Sequence, residues 1–178
     1  MEELVLLLTF ALHFMEDSSM QITIDIDNTS SPSKSVTVEA DGHERVDAVV
    51  FRALTALGID PSEFTADIGI DDISFEPKDH VKDCIRHGQR WRCRQVCVDI
   101  NYQSESAIRH FFNPKHTWQH VHEWACKHFR VAAAVCKDLE LFAGSSTGPA
   151  LNENLPIGAS SECKIVWLAK PGPELNGY

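Results

Sequence analysis

The end of the chain contains the pattern that most directly suggests chemistry, a glycine followed by one final residue, Gly177-Tyr178. Pro171 and Pro173 should end the preceding strand and favour an extended course, because proline fixes φ and lacks a backbone donor. Residues 171–178 could then span on the order of 25 Å at about 3.1 to 3.6 Å per residue. A glycine carboxylate on such a segment has no Cβ, so it could enter a narrow adenylation or thioester site.

Tyr178 would block this chemistry, so the reactive form requires the removal of one residue to expose the carboxylate of Gly177. Leu175 is predicted to anchor the tail within an enzyme channel, with Asn176 recognised beside it. The alternative is an ordinary frayed terminus that happens to contain a glycine.

Residue types found in zinc sites cluster in the middle of the chain, at Cys84, His87, Cys93 and Cys97. Zinc needs four ligands that converge at about 2.0 to 2.3 Å. In an extended strand Cys93 and Cys97 would share a face but lie about 13 Å apart, at roughly 3.3 Å per residue. We therefore predict no metal at this cluster.

Four histidines lie on or beside a predicted helix, His116, His120, His122 and His128. His116 and His120 are four residues apart and could share a metal, but a third ligand is not evident. A solvated helix face with aromatic neighbours is the preferred interpretation. The sequence shows neither a Ser-His-Asp nor a Cys-His arrangement, so it predicts no catalytic residue, no enzyme and no cofactor.

The composition is that of a globular chain, with 43% hydrophobic and 24% charged residues. A formal net charge of -10 argues against a nucleic-acid partner, because phosphate binding needs a surplus of Lys and Arg. The six cysteines lie among hydrophobic residues without a Cys-x-x-Cys pair. We therefore expect reduced core thiols in a cytoplasmic protein.

A local basic strip interrupts this acidic chain at Arg86, Arg90, Arg92 and Arg94, with Trp91 inside it. Alternation of this kind is most often the solvated face of a strand. A docking surface for an acidic partner is the alternative.

The N-terminal residues 1–19 need a separate interpretation, because residues 4–15 are the most apolar stretch. About twelve apolar residues are too few to span a bilayer, which requires roughly twenty. Glu2 and Glu3 stand where a signal peptide would be positive, so neither a signal peptide nor a membrane association is predicted. Two alternatives stay open: a short docking or self-associating helix, or translation that starts at Met20.

Two similar series of elements follow. In the first, alternate isoleucines predict a half-buried strand, Ile22, Ile24 and Ile26, and a second strand completes a hairpin. An apolar stripe then predicts a helix over about 43–57, with Gly58 as its C-terminal cap. Almost no linker separates residues 91–94, the last strand of this series, from residues 95–102, so we expect little motion between the halves.

The same order returns about 75 residues later, which indicates two copies of one unit. Its elements are predicted as a strand at 96–102, a strand at 108–112, a helix at 117–130, a short strand at 139–141 and a final strand at 163–169. Thr117 is the predicted N-cap of that helix. Each small sheet can bury one face only by curling around its single helix, which is the β-grasp arrangement.

These features resemble the ubiquitin family, specifically tandem bacterial ubiquitin-like modifiers whose layout is similar to the interferon-induced two-domain modifier of vertebrates. Met20-Gln21-Ile22 looks like the start of ubiquitin. The second half has Pro114-x-x-Thr117 before its helix and the strand Leu139-x-Leu141. The likeness covers about residues 20–178, but Asn176-Gly177-Tyr178 replaces the two adjacent glycines of many relatives.

The resemblance implies an α+β fold of two tandem ubiquitin-like β-grasp domains, at residues 20–94 and 95–170, with an N-terminal extension at 1–19 and a tail at 171–178. It also implies a protein modifier. A peptidase would remove Tyr178, an activating enzyme would adenylate the Gly177 carboxylate and hold it as a thioester, and a conjugating enzyme would deliver it to a target lysine.

Related bacterial systems pair such a modifier with a metal-dependent isopeptidase and are linked to defence against phage. Two alternatives stay open, a non-covalent ubiquitin-like interaction module and a sulfur carrier that ends in a glycine thiocarboxylate. Sulfur carriers are usually single domains that end in two glycines, so the tandem layout counts against the second.

Overall fold

The computed structural model describes residues 19–28, 33–62 and 64–172. The strands in these ranges are β1 (Met20–Asn28), β2 (Lys34–Ala40), β3 (Asp67–Ile70), β4 (Ile73–Phe75), β5 (Arg90–Tyr102), β6 (Ile108–Phe112), β7 (Glu140–Ala143) and β8 (Lys164–Ala169). The helices are α1 (Val46–Ala56), α2 (Val81–Cys84), α3 (Trp118–His128) and α4 (Ala133–Cys136), with a 3-10 turn at Ile85–His87.

The N-terminal half forms a sheet in the order β2-β1-β5-β3-β4. β1 and β2 are an antiparallel hairpin, and β5 lies parallel to β1 on its other side. α1 covers the face on which Ile22, Ile24 and Ile26 are buried. The helix is followed by Leu57 and then Gly58, whose φ of 69° is the left-handed conformation expected of a glycine cap.

The C-terminal half repeats this arrangement. β5 and β6 form the antiparallel pair, β8 lies parallel to β5, and β7 lies antiparallel to β8 at the edge. α3 covers the buried face through Trp118, Val121 and Ala125. A hairpin, a helix and a final central strand parallel to the first define the β-grasp, so the predicted α+β fold of the ubiquitin-like class is confirmed.

One strand belongs to both sheets. Residues 90–95 of β5 pair with β1, and residues 96–102 pair with β6 and β8 without a break. Successive side chains of a strand point to opposite faces. Trp91 and Cys93 therefore enter the first core, whereas Val96 and Val98 enter the second from the opposite face of the strand.

Further contacts hold the junction between the halves. The side-chain amides of Gln95 and Asn113 donate to the backbone carbonyls of Thr65 (2.7 Å) and Ala66 (2.8 Å). The buried residues form two separate hydrophobic clusters, one around each long helix. The boundary between residues 94 and 95 stays a prediction, and it falls inside a continuous strand.

The start of each long helix is held by a carbonyl from a distant loop. The N–H of Val46 donates to Asp79 (2.9 Å), and the N–H of Trp118 donates to Leu155 (3.1 Å). The next N–H group of each helix bonds in the same way, Asp47 to Pro77 (3.0 Å) and Gln119 to Glu153 (3.0 Å). Thr117 occupies the N-cap position, but its side chain makes no capping hydrogen bond. Backbone carbonyls of the loop, and not the predicted Thr117 side chain, therefore accept the first N–H groups of α3.

The prediction of six reduced thiols is wrong for four cysteines of this structure. Cys97 of β5 is bonded to Cys163, just before β8, and Cys126 of α3 is bonded to Cys136 of α4. Both pairs join segments that are distant in the sequence or separated by a turn, so spacing alone could not reveal them. Cys84 and Cys93 are free and buried, as expected.

The basic strip lies on the solvent side of its segment, as alternation predicted. Arg92 is exposed, whereas the neighbouring Trp91 and Cys93 are fully buried. Three of the four arginines contact carboxylates of the chain itself: Arg90 with Asp25, Arg94 with Asp67 and Arg86 with Asp83. These contacts weaken the alternative of a docking surface for an acidic partner.

Thr117→Ala should change the free energy of unfolding by less than about 0.5 kcal/mol, because no capping hydrogen bond is lost. Urea denaturation at constant pH would measure the difference. A loss above about 1 kcal/mol would show that the threonine side chain does cap α3 in solution.

Asp25→Asn should lower stability at neutral pH, because Arg90 donates to both oxygens of this buried carboxylate, at 2.6 and 3.0 Å. The hydrogen bonds from Arg90 hold the pKa of Asp25 below its usual range, against the opposing effect of burial. The stabilisation is therefore present above the unfolded pKa, at about pH 4, and is lost as the pH falls through the lower folded pKa.

Urea denaturation at several pH values should therefore show the two proteins converging in stability in acid. The matched control is Asp72→Asn, at an exposed position between β3 and β4. Parallel pH profiles for wild type and Asp25→Asn would contradict the assignment.

Candidate functional site

The predicted reactive tail continues from β8, a central strand of the second sheet. β8 lies between β5 and β7, and its inward residues Val166 and Leu168 are each 1% exposed. The chain then leaves the sheet, and residues 170–172 are exposed. A side chain on Gly172 would meet no atom within 4 Å. The base of the tail is therefore anchored in the sheet, and residues 170–172, which follow the strand, are exposed.

The predicted site residues Leu175, Asn176, Gly177 and Tyr178 lie outside the described residues. Their roles in recognition, processing and conjugation stay predictions. What the structure provides is the position from which the tail begins. β5 and β8 run parallel, so their carboxyl ends meet at one edge of the sheet.

The solvent-facing side of β8 carries apolar side chains. Ile165 of β8 is 52% exposed, and Trp167, two residues further along the same face, pairs with Phe142 of β7. A cleft of about 350 Å³ at the base of the tail is lined by residues of β5, β8 and the α4 region, among them Tyr102, Gln103, Val135, Leu139 and Lys170.

The histidines of α3 divide into two groups. The rings of His116 and His120 are tilted by 44° with their centroids 4.1 Å apart, and Trp124 stacks on both His110 and His128. Burial, with a smaller effect of His120, lowers the pKa of His116. Among the described residues this group has no third metal ligand close to it. The aromatic neighbours predicted for the helix are present, but the predicted solvated face is wrong for His122, which is buried.

His122 points elsewhere, towards Cys126, Cys136 and Glu153. Sequence reasoning missed this group because Cys136 and Glu153 come from other segments. The only available signal was the spacing of four residues between His122 and Cys126, which places both on one face of a helix.

The cluster proposed from residue type, Cys84, His87, Cys93 and Cys97, is divided between the two halves, because Cys97 is bonded to Cys163. Burial raises the pKa of Cys84 to about 11 and that of Cys93 to about 12. Both thiols are therefore protonated at neutral pH, and a protonated thiol is a poor nucleophile.

No known family profile and no curated protein matches the chain. Solved structures do match. The ubiquitin of Caldiarchaeum subterraneum is 14% identical with a TM-score of 0.36, over 46% of this chain and 99% of that one. The C-terminal ubiquitin-like domain of human 2'-5'-oligoadenylate synthetase-like protein is 13% identical with a TM-score of 0.35, over 47% and 92%.

A third match is the C-terminal ubiquitin-like domain of mouse tubulin-specific chaperone e, which is 17% identical with a TM-score of 0.33, over 45% and 92%. The β-grasp assignment itself follows from the strand order of this chain. Within the described part of the chain, none of the helices has the length and apolarity needed to cross a bilayer.

Leu168→Ala should cost about 2 to 5 kcal/mol of stability, because it removes a fully buried side chain from the strand that carries the tail. Ile165→Ala, three residues earlier on the exposed face, should cost less than about 1 kcal/mol. Thermal and urea denaturation of the two variants would measure the difference. Equal losses would mean that the faces of β8 are not divided as described.

Proposed function

We propose that the protein is a ubiquitin-like modifier that becomes linked to lysines of other proteins through the carboxylate of Gly177. The observation that carries the proposal is the passage of a buried central β-grasp strand into exposed residues 170–172, which lead directly towards Gly177-Tyr178. The rigid half of the molecule would present the tail, and the tail would supply the reacting group.

The chemistry requires three steps. A metal-dependent isopeptidase hydrolyses the peptide bond after Gly177 and releases Tyr178. An activating enzyme then joins the new carboxylate to AMP, with release of pyrophosphate from ATP, and its cysteine displaces AMP to form a thioester. After transfer to a conjugating enzyme, a target lysine amine displaces the thiol and forms an isopeptide bond. The modifier supplies only the carboxylate, and the enzymes supply the catalytic groups.

The length of the tail is consistent with a modifier that supplies only the carboxylate while its partner enzymes supply the catalytic groups. Residues 171–178 could extend on the order of 25 Å beyond the sheet. An active site could therefore be buried in a partner while the partner's surface contacts Ile165 and Trp167 on the strand that carries the tail. Leu175 and Asn176 would lie inside the enzyme channel, next to the reacting glycine.

The two halves would act as domains of one modifier, residues 20–94 and 95–170. The likeness to tandem bacterial modifiers, carried by Met20-Gln21-Ile22 and Pro114-x-x-Thr117, supports a role in an antiphage defence system. In that system it would work in the cytoplasm with an activating enzyme, a conjugating enzyme and an isopeptidase.

The function is tested with Gly177→Asp in cells that contain the natural partner enzymes. We expect this variant to form neither the thiol-sensitive thioester nor the thiol-resistant lysine adducts, because the substitution adds a side chain and a charge to the reacting residue. Intact mass of the unmodified wild type should show the loss of Tyr178 alone. Immunoblots with and without reducing thiol would detect the adducts.

Gly172→Asp is the matched control, since it adds the same charge at an exposed tail position with open space around it. This control should still conjugate. Deletion of Tyr178 should make the isopeptidase unnecessary for conjugation. Lysine-linked adducts of Gly177→Asp would contradict the modifier function and favour a non-covalent module, whereas a terminal thiocarboxylate on the processed chain would favour a sulfur carrier.

A further inference from the structure

A group of metal-ligating side chains lies at the C-terminal end of α3, away from the tail chemistry. His122 and Cys126 are one turn apart on that helix, and Cys136 approaches them from α4. Their ligand atoms all lie within 4.8 Å of one another. His122 is 9% exposed and Cys126 is 5% exposed. The group is therefore largely shielded from water while remaining open on the side of the half-buried Cys136.

The imidazole of His122 is held in one orientation by a carboxylate. Its Nδ1 lies 2.9 Å from Oε1 of Glu153, and the backbone carbonyl of Glu153 accepts the N–H of Gln119 at the start of the same helix. With the proton on Nδ1, the lone pair of Nε2 points at Cys136 Sγ, 3.7 Å away. Histidines that bind metals typically carry this second contact to a carboxylate.

While Cys126 and Cys136 are bonded, Cys136 offers no hydrogen-bond donor to the lone pair of His122 Nε2. A disulfide sulfur carries no proton, so neutral His122 has an acceptor nitrogen facing an acceptor sulfur. A reduced thiol would supply a proton, and a metal ion would supply an empty orbital. The arrangement of His122 thus favours a reduced pair of cysteines over the disulfide.

The distances suit a tetrahedral ion. With zinc bonds of about 2.0 Å to nitrogen and 2.3 Å to sulfur, two ligands on one ion are about 3.6 Å apart for nitrogen and sulfur and about 3.8 Å apart for two sulfurs. The first separation is already present between His122 and Cys136. The second requires only that the sulfurs rotate apart once the bond is reduced, since the Cα atoms are 6.0 Å apart.

We propose that His122 Nε2 and the thiolates of Cys126 and Cys136 bind one Zn²⁺ when this cysteine pair is reduced, with Glu153 orienting the histidine. Two thiolates and one imidazole are the soft and intermediate donors that zinc prefers. A fourth position faces solvent and would hold water. A phosphine reductant and one water convert the disulfide into two thiols and phosphine oxide, and zinc then displaces the two thiol protons.

The other cysteine pair provides an internal comparison. Cys97 and Cys163 lie near Asp99, but both oxygens of that carboxylate accept hydrogen bonds from Arg109, at 2.8 and 2.9 Å. The carboxylate of this second group is therefore already engaged. We expect it to hold no zinc.

The experiment uses the untagged full chain, reduced with a phosphine in metal-free buffer. Zinc content is measured by mass spectrometry after dialysis, and Co²⁺ is added as a spectroscopic probe. Wild type should bind one ion per chain and show a thiolate-to-cobalt charge-transfer band. Cys136→Ser should lose the band, and Glu153→Gln should weaken binding by about 10- to 100-fold. Protein in which the disulfide is intact should bind none.

Cys163→Ser is the matched control, because it removes one thiol from the other pair and should keep the ion. Glu153→Gln keeps the test informative if Cys136→Ser does not fold, since the Glu153 side chain is 39% exposed. Equal metal content in wild type, Cys136→Ser and Glu153→Gln would overturn the proposal. So would a reduced wild type without the cobalt band, or a Cys126–Cys136 bond that resists reduction in the folded protein.

Discussion

The uninterrupted hydrogen bonding of β5 is the constraint on which the rest of the structure depends. Its first six residues pair with β1, and its remaining residues pair with β6 and β8. A slip of one residue would turn Trp91 and Cys93 out of the first core and Val96 and Val98 out of the second at the same time. The burial of four side chains in two cores therefore fixes one register.

Because β5 is shared, the central strands of the two halves are followed by different segments of the chain. In the first half, the strand parallel to β1 is β5 itself, and it continues directly into the second half. In the second half the corresponding strand is β8, which is followed by the exposed residues 170–172. In the described part of the chain, only the second half therefore has a parallel central strand that is followed by exposed residues. The side chains of Gln95 and Asn113 also join the first half to the start of the second through hydrogen bonds to backbone carbonyls.

Contacts between distant segments also determine how the helices begin and which cysteines meet. Loop carbonyls of Asp79 and Leu155 satisfy the first free N–H groups of the two long helices. Glu153 supplies both a backbone acceptor for α3 and a side-chain partner for His122. One loop thus caps the helix and orients the imidazole beside Cys126 and Cys136, which links the fold of the second half to the chemistry of its cysteines.

Apart from the short strands β3 and β4 and the short helices α2 and α4, the sequence by itself determined the order of elements. The reason is that the alternation at Ile22, Ile24 and Ile26 and the apolar stripes of the long helices are local periodicities that any tertiary structure must bury. It also determined the near absence of a linker and the exposed face of the basic strip. Only the tertiary structure decided that β5 is one strand with two cores, that a loop rather than the Thr117 side chain caps α3, and that Cys136 meets His122. These depend on contacts between segments many residues apart, about which spacing along the chain carries no information.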